Sequence, residues 1–271
     1  MPELAEVETV RRTLKKQLLG KRIRKVDILY NGIIASNLDD FKKNIFNEEF
    51  IDILRKGKYL IFELNNYYLV SHLRMEGKYF IKGIDEKIEK HEHVIFTLDD
   101  ISLRYHDTRK FGKMYLVNKD QLYSLSPLNL LGKEPWDNDL NIGYLKDKLS
   151  SSKHIKTLLL DQSIIAGIGN IYADEILFKS KINPNRLGKD LSDKDLQNII
   201  DSTKTILEKS IECGGTTIRS YTSSLGVIGH YQDYLMVHQR ENEKCKICNS
   251  IIIKTRINGR GTYYCPKCQV K

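Results

Sequence analysis

The first residues of the chain, Met1-Pro2-Glu3-Leu4-Ala5-Glu6, place a proline where removal of Met1 would make it N-terminal. An N-terminal proline is a secondary amine, and α-amino groups titrate near ~7.7–8.0, so a useful fraction is nucleophilic at neutral pH. Condensed with a sugar aldehyde carbon, this amine gives an iminium without an N–H to lose, which acidifies the adjacent carbon. Such chemistry suits a lyase acting at C1′ of a nucleotide. Glu3 and Glu6 follow within one turn and could move protons.

The surrounding pattern predicts a helix over residues 3–19. Its apolar positions recur with helical spacing, and Gly20 follows where a C′ glycine is favoured. The apolar positions are Leu4, Val7, Val10, Leu14 and Leu18. Proline and acidic residues are also typical of an ordinary helix start. On these residues alone, a purely structural role for the segment therefore stays open.

The rest of the chain divides into a strand-rich and a helical part. Short apolar runs predict strands at 23–30, 59–64, 67–73, 94–98 and 101–105, and Asn65-Asn66 and Asp99-Asp100 fit two-residue hairpin turns. Such strands predict a β-sandwich. Residues 118–141, with Pro127 and Pro135, indicate a linker. Helices are predicted at 142–150, 154–162, 170–181 and 191–212.

Four of the five cysteines form two Cys-x2-Cys pairs with sixteen residues between them. They are Cys245, Cys248, Cys265 and Cys268. This spacing is typical of a tetrahedral four-cysteine zinc site, which has no open coordination position. We therefore expect one structural Zn²⁺. The fifth, Cys213, stands alone and fits a small buried or half-buried side chain.

Charge and hydropathy narrow the class of protein. The 271 residues include 44 basic and 35 acidic side chains, which gives a net charge of +9. Such a charge favours binding to phosphates, but it also fits a basic protein without a nucleic-acid role. There is no run of 18 or more apolar residues, so we expect no membrane span, and the N-terminus has no apolar signal core. These features predict a cytoplasmic protein.

A turn with two glycines, Gly167-Ile-Gly-Asn170, joins two predicted helices. Asn170 is predicted to be the N-cap of the second helix, whose first N–H groups could bind a phosphate. Taken singly, this turn fits an ordinary helix–helix corner equally well.

Several segments together carry a family resemblance. They are Pro-Glu-Leu-Ala-Glu-Val-Glu (2–8), Arg-Lys-Gly-Lys-Tyr-Leu (55–60), His-Leu-Arg-Met-Glu-Gly-Lys (72–78), Tyr-His-Asp-Thr-Arg-Lys-Phe-Gly (105–112), Gly-Ile-Gly-Asn-Ile-Tyr-Ala (167–173), Gly-Gly-Thr-Thr-Ile-Arg (214–219) and Gly-Arg-Gly-Thr-Tyr-Tyr-Cys-Pro-Lys-Cys-Gln (259–269). In this order the chain closely resembles the bacterial formamidopyrimidine-DNA glycosylases.

The resemblance implies an α+β multidomain fold with DNA bound in a cleft. Its parts are a catalytic β-sandwich domain with a leading helix (1–117), a linker (118–141), a helix–two-turns–helix domain (142–239) and a four-cysteine zinc finger (240–271). Residues 217–237, with Tyr221, Ser223, Ser224 and Tyr231, are expected to cover an extruded base. We expect a monomer that associates with the nucleoid through DNA.

The resemblance also implies roles for individual residues. Pro2 is the nucleophile, Glu3 the general acid/base, and Lys58 and Arg260 are further catalytic residues that hold the lesion's phosphate, while Glu6 supports the turn. Met75, Arg109 and Phe111 fill the gap left by the extruded nucleotide. The DNA-binding set is His91, Arg109, Lys153 and Asn170. Read singly, several of these fit core packing or a solvated surface charge equally well, and Arg109 could pair with Asp107.

Two positions depart from the family pattern. Ala5 stands where the family usually has proline, a change we expect to matter little because alanine suits a helix. Ser150-Ser-Ser-Lys153 is less basic than the corresponding run in relatives, which leaves Lys153 as the remaining phosphate contact there.

The predicted activity is that of a bifunctional glycosylase and β,δ-lyase for base excision repair. Its substrates would be duplex DNA with oxidised purines such as 8-oxoguanine and formamidopyrimidines, or abasic sites. One alternative is the endonuclease VIII type, which favours oxidised pyrimidines. Another is a zinc-ribbon protein that binds DNA without catalysis.

Overall fold

A computed structural model describes residues 1–216 and 229–270. The chain forms two compact units, one made of residues 1–129 and 214–229 and the other of residues 130–213 and 230–271. Tyr221, Ser223 and Ser224 of the predicted covering loop lie outside the described residues. Among the described helices, none has the length and apolar character needed to cross a bilayer. The finer domain boundaries at 117, 141 and 239 stay a prediction.

The first unit is built on two antiparallel four-stranded sheets. One has the order β1-β6-β7-β5 and the other β2-β3-β4-β8. The strands are β1 (Lys25–Ile28), β2 (Asp52–Lys56), β3 (Tyr59–Glu63), β4 (Tyr67–His72), β5 (Lys78–Lys82), β6 (Glu92–Thr97), β7 (Ser102–His106) and β8 (Lys113–Asn118). Helices α1 (Leu4–Leu18) and α2 (Leu38–Ile45) complete the unit.

Both predicted hairpin turns are present. The Leu64 N–H donates to the Tyr67 carbonyl (2.9 Å), and the Leu98 N–H donates to the Ile101 carbonyl (2.8 Å), so each turn has two residues.

Strands β2, β5 and β8 and helix α2 were not predicted. The three strands begin or end with charged or amide side chains that mask their apolar alternation.

One hydrophobic core joins the sheets and α1. Val7, Val10 and Leu14 of α1 are buried in the same cluster as residues of both sheets. The Phe62 ring of one sheet lies 5.4 Å from the Tyr79 ring of the other, in an edge-to-face contact. Because α1 packs against β2 and β3 along its apolar face, its N-terminal turn is held in place.

The second unit contains four helices and a hairpin. They are α3 (Ile142–Leu149), α4 (Ile155–Leu159), α5 (Asn170–Lys179), α6 (Asp193–Glu212), β9 (Ile253–Ile257) and β10 (Arg260–Tyr264). Helix α5 packs against α6 and β10. Helix α4 is shorter than predicted because the chain turns at Asp161, whose carboxylate accepts from Ser163 N (2.9 Å).

The predicted cap at Asn170 is wrong. Gly169 is the N-cap of α5, with extended backbone angles, and Asn170 is the first helical residue. Since glycine is also accepted at the N-cap, the position shifts by one residue. The Asn170 side chain is thereby available for a tertiary contact.

Candidate active site

The start of α1 is buried and internally hydrogen bonded. The Glu3 N–H donates to Glu6 Oε2 at 2.8 Å. The carboxylate of Glu6, in the first turn of α1, therefore accepts from a backbone N–H at the helix start that has no partner within the helix. Pro2 is buried, and Glu3 and Glu6 are 2 % and 4 % exposed. Ala5 is fully buried in the same turn. The predicted nucleophile and the predicted acid/base residue are thus neighbours on a fixed turn.

The Gly-Gly-Thr segment binds this turn through Glu6. Glu6 Oε1 accepts from the Thr216 N–H (2.8 Å) and from the Thr216 hydroxyl (3.1 Å). Gly215 has φ +81°, and a Cβ there would lie 2.8 Å from Glu6 Oε1. Glycine is therefore needed for both the backbone angle and the close approach. The two partners are 210 residues apart, so the sequence did not indicate this contact.

A cluster of ion pairs joins α1 to β2. Glu8 accepts from Arg11 (2.8 Å) and Arg12 (2.8 Å), and Arg55 of β2 lies 3.2 Å from it. Burial alone would raise the pKa of Glu8, but the hydrogen bonds and charges of these arginines outweigh it and lower that pKa to about 2. Glu8 is therefore ionised at neutral pH and links α1 to β2.

Lys58 directly precedes β3, and His72 ends β4, the strand that pairs with β3. Lys58 occupies the turn between β2 and β3 and is 5 % exposed. Tyr59, the residue after it, pairs with His72 of β4. Burial, assisted by the charges of Arg74 and Lys58, lowers the pKa of His72 to about 3, so its imidazole is neutral. Its Nδ1 accepts from Arg74 N (2.8 Å), which leaves the Nε2 proton as donor.

His72 was missed by the sequence analysis. Its only signal was its place at the head of the His-Leu-Arg-Met-Glu-Gly-Lys segment. In the structure, it adds a neutral hydrogen-bond donor to the region of Lys58.

The residues predicted to fill a DNA gap lie on loops of the same unit. Phe111 is 50 % exposed and Met75 is half-buried, so neither is an ordinary core residue. The Arg109 guanidinium lies 4.7 Å from the centroid of the Phe111 ring. Asp107 contacts the backbone of Arg109, not its guanidinium. Half-buried His91 has φ +77°, and its ring lies 5.7 Å from that of His106.

In the second unit, Asn170 and Arg260 are brought together through one carbonyl. Asn170 Nδ2 donates to the Gly261 carbonyl at 3.0 Å, and Lys156 Nζ donates to the same oxygen at 2.8 Å. Arg260, the neighbour of Gly261 in β10, is exposed. Lys153 is also exposed, and its carbonyl accepts from Gly188 N.

Lys156 belongs to a buried ionic cluster that the sequence analysis did not identify. Its ammonium lies 2.7 Å from Asp174 Oδ1, and His238 Nδ1 lies 2.7 Å from Asp174 Oδ2. Lys156 and Asp174 are fully buried, so the attraction between them acts with little solvent screening. Through these contacts, helices α4 and α5 are attached to the β9–β10 hairpin, which carries Arg260.

The four predicted zinc ligands are close together in the described residues. Their sulfur atoms all lie within 4.8 Å of one another, with 3.9 Å between Cys245 and Cys268 and 3.4 Å between Cys248 and Cys265. A tetrahedral ion with Zn–S bonds of ~2.3 Å needs sulfur separations of about this size. The cluster therefore fits one structural Zn²⁺. Cys213 is half-buried and stands outside it.

Removal of zinc is expected to unfold the hairpin of the finger, because metal binding supplies much of the folding free energy of such modules. Cys265→Ala should lose the zinc that a colorimetric chelator releases from the wild type and should bind duplex DNA more weakly. Cys213→Ser is the matched control and should retain one zinc per chain. Full duplex affinity in a zinc-free Cys265→Ala protein would show that the finger is not needed for binding.

Comparisons with known proteins agree with these features. Three family models match: the formamidopyrimidine-DNA glycosylase N-terminal domain (residues 1–114), the formamidopyrimidine-DNA glycosylase H2TH domain (131–222) and the zinc finger found in FPG and IleRS (242–270). The formamidopyrimidine-DNA glycosylase of Bacillus subtilis (strain 168) is 44% identical over 100% of both chains. That of Bacillus cereus (strain ATCC 14579) is 43% identical over 99% of both.

Solved structures give the same result. Lactococcus lactis Fpg in complex with DNA containing an abasic site has a TM-score of 0.94 at 40% identity, covering 99% of this chain and 100% of that one. A Lactococcus lactis FPG mutant in complex with Fapy-dG containing DNA has a TM-score of 0.95 at 40% identity, covering 100% of both. Since the matches extend over the whole chain, the protein belongs to the formamidopyrimidine-DNA glycosylase family.

Proposed function

We propose that this protein is a bifunctional DNA glycosylase and abasic-site lyase that removes oxidised purines from duplex DNA in base excision repair. The observation that carries the proposal is the buried start of α1, where Pro2 and Glu3 lie on a turn fixed by Glu6 and Thr216. Because the relatives named above come from bacteria and the solved structures hold DNA, we further propose that it acts at the nucleoid in the cytoplasm.

Pro2 supplies the nucleophile once Met1 has been removed. Its nitrogen bonds to C1′ of the damaged nucleotide, and the base leaves with the electrons of the glycosidic bond and takes up a proton. Opening of the sugar ring gives the iminium. Loss of a C2′ proton then expels the 3′ phosphate, and a second elimination expels the 5′ phosphate. Water finally releases Pro2 from the sugar fragment.

Glu3 is the general acid and base of these steps. It is 2 % exposed, and the capping box at the start of α1 holds it at two points, since its backbone N–H donates to Glu6 and its side chain accepts from the Glu6 backbone N–H. A carboxylic acid held beside the amine can give a proton to the ring oxygen as the sugar ring opens, and the carboxylate that results can then accept the C2′ proton. Glu6, by contrast, serves as a support for the turn.

Phosphates are bound by cationic and polar groups in both units. Lys58 holds the phosphate at the lesion, and Arg260 provides a bidentate contact from the hairpin. His91, Lys153 and Asn170 add further contacts. The gap left by the extruded nucleotide is filled by Met75, Arg109 and Phe111, because an extruded base leaves an unstacked step and an unpaired partner.

The proposal is tested with a panel of duplexes containing 8-oxoguanine, a formamidopyrimidine, thymine glycol or an abasic site. We expect excision of the two purine lesions and cleavage at the abasic site. Preferential excision of thymine glycol would instead indicate the endonuclease VIII type. Binding without cleavage of any duplex would indicate a DNA-binding protein without catalysis.

Arg260→Ala is expected to weaken duplex binding and to lower the slope of log affinity against log salt by ~0.9, the value for one phosphate contact. Binding titrations at several salt concentrations measure both quantities. Arg256→Ala, which removes the same charge from β9 of the same hairpin, is the matched control. An equal change of slope in both variants would show that Arg260 contributes only general charge.

A further inference from the structure

A buried carboxylate lies at the base of the loop that carries Arg109 and Phe111. Asp107 is fully buried, and the two oxygens of its side chain accept three backbone hydrogen bonds. Oδ1 accepts from Arg109 N at 2.9 Å, while Oδ2 accepts from Phe111 N at 2.9 Å and from Gly112 N at 2.8 Å. One side chain thus fixes the backbone on both sides of Lys110, whose φ is +57°.

Tyr105 connects Asp107 to the loop that carries Met75. A Cβ on Gly77 would lie 2.2 Å from the Tyr105 hydroxyl, and a Cβ on Gly112 would lie 1.7 Å from it. The phenol therefore packs between the ends of the two loops, and its hydroxyl donates to Asp107 Oδ2 at 3.4 Å.

Three further contacts complete the connection. The Thr108 hydroxyl donates to Glu76, which follows Met75 in the chain. The backbone of Asp107 contacts the loop that carries His91 and the strand β6 that follows it, because its N–H donates to the His91 carbonyl (3.0 Å) and its carbonyl contacts His93 Nε2 (2.8 Å). Three loops with predicted DNA contacts therefore meet at one residue.

We propose that Asp107 is a positioning residue that holds Met75, Arg109 and Phe111 as one preformed wedge. The inference rests on the proposed function, since the wedge acts only when a nucleotide is extruded. Arg109 and Phe111 extend from an exposed loop without strand pairing, so the shape of this loop depends on the Asp107 carboxylate. A preformed wedge enters the duplex without first paying for loop ordering.

The proposal requires an acceptor on both oxygens. The three backbone partners of the Asp107 carboxylate are all N–H donors, and an asparagine would direct its NH₂ group at one or two of them. Asp107→Asn keeps the volume of the side chain and removes one acceptor. It therefore loosens the loop while Pro2, Glu3 and Arg260 are left unaltered.

The test compares Asp107→Asn with the wild type in three measurements. Hydrogen exchange of the Arg109, Phe111 and Gly112 amides should become faster in the variant. A fluorescent base analogue beside the lesion should report slower extrusion, and single-turnover excision of 8-oxoguanine should fall by ~10²-fold, the size typical of a misplaced group. Cleavage at a preformed abasic site should fall clearly less. Asp85→Asn, an exposed aspartate after β5, is the control and should match the wild type.

A double-mutant cycle separates positioning from general destabilisation. Once Phe111→Ala has removed the wedge, Asp107→Asn should cost much less than it does alone. Equal losses on both substrates, or strictly additive losses in the cycle, would overturn the proposal. If Asp107→Asn does not fold, Thr108→Val serves as the second variant, because it breaks only the contact with Glu76. This variant should also slow extrusion of the lesion. Extrusion at the wild-type rate in Thr108→Val would overturn the proposal. A wild type that leaves 8-oxoguanine uncut would instead refute the proposed function.

Discussion

An extra residue before Pro2 is expected to reduce strand cleavage and covalent trapping to background. The proline nitrogen then becomes an amide nitrogen, whose electron pair is delocalised into the carbonyl group and is no longer nucleophilic. The rest of the molecule should be unchanged, since Glu6 and Thr216 still hold the turn. Gel assays on an abasic duplex, with and without borohydride, measure the effect.

The control uses the same extended protein with a cleavable leader. Proteolysis that leaves Pro2 as the first residue should restore both trapping and cleavage, while the uncleaved protein should still bind duplex DNA. Cleavage at the wild-type rate by the extended protein would show that another amine acts as the nucleophile.

Glu3→Gln is expected to lower the single-turnover rate on both 8-oxoguanine and abasic duplexes by ~10²–10⁴-fold, the usual contribution of a general acid–base group. Glutamine has nearly the same volume, and its side-chain oxygen can still accept from the Glu6 backbone N–H in the capping box, so the helix start should persist. Duplex affinity should therefore change little, which a binding titration verifies.

Glu63→Gln is the matched control for this variant. Glu63 ends β3 and pairs with Lys119 at 3.2 Å, outside the turn that carries Pro2. It should cut both substrates at the wild-type rate. If Glu3→Gln did the same, the acid–base role would belong to a different residue.

Local features of the fold could be predicted from the sequence. The zinc site was predicted because each Cys-x2-Cys pair forms a knuckle within a few residues, and the sulfur atoms do lie close together. The turns at Asn65-Asn66 and Asp99-Asp100 and helix α6 were predicted for the same reason, since short-range preferences determine them.

Long-range contacts could not be predicted in this way. The hydrogen bonds between Glu6 and Thr216 and the cluster of Lys156, Asp174 and His238 join distant parts of the chain. The carboxylate of Asp107 was considered only as an ion-pair partner for Arg109, yet it binds backbone amides. Periodicity and motif spacing carry no information about such contacts, which depend on how the elements pack.

The amine chemistry of Pro2 and the acidic residues beside it could be read from the first residues, whereas the roles of the other site residues came from the resemblance. Lys58 alone reads as an ordinary residue at a strand end, and Phe111 alone reads as a core residue. The structure contradicts both of these interpretations. The Lys58 side chain is buried, with 5 % exposed, whereas the Phe111 side chain is 50 % exposed.

Borohydride reduction of the wild-type protein on a lesion duplex tests the central claim most directly. The reagent reduces the iminium to a stable amine and so records which nitrogen was bonded to C1′. Digestion and mass spectrometry of the adduct should place the sugar on Pro2, in a peptide that has lost Met1. An adduct on a lysine, such as Lys58, would contradict the account.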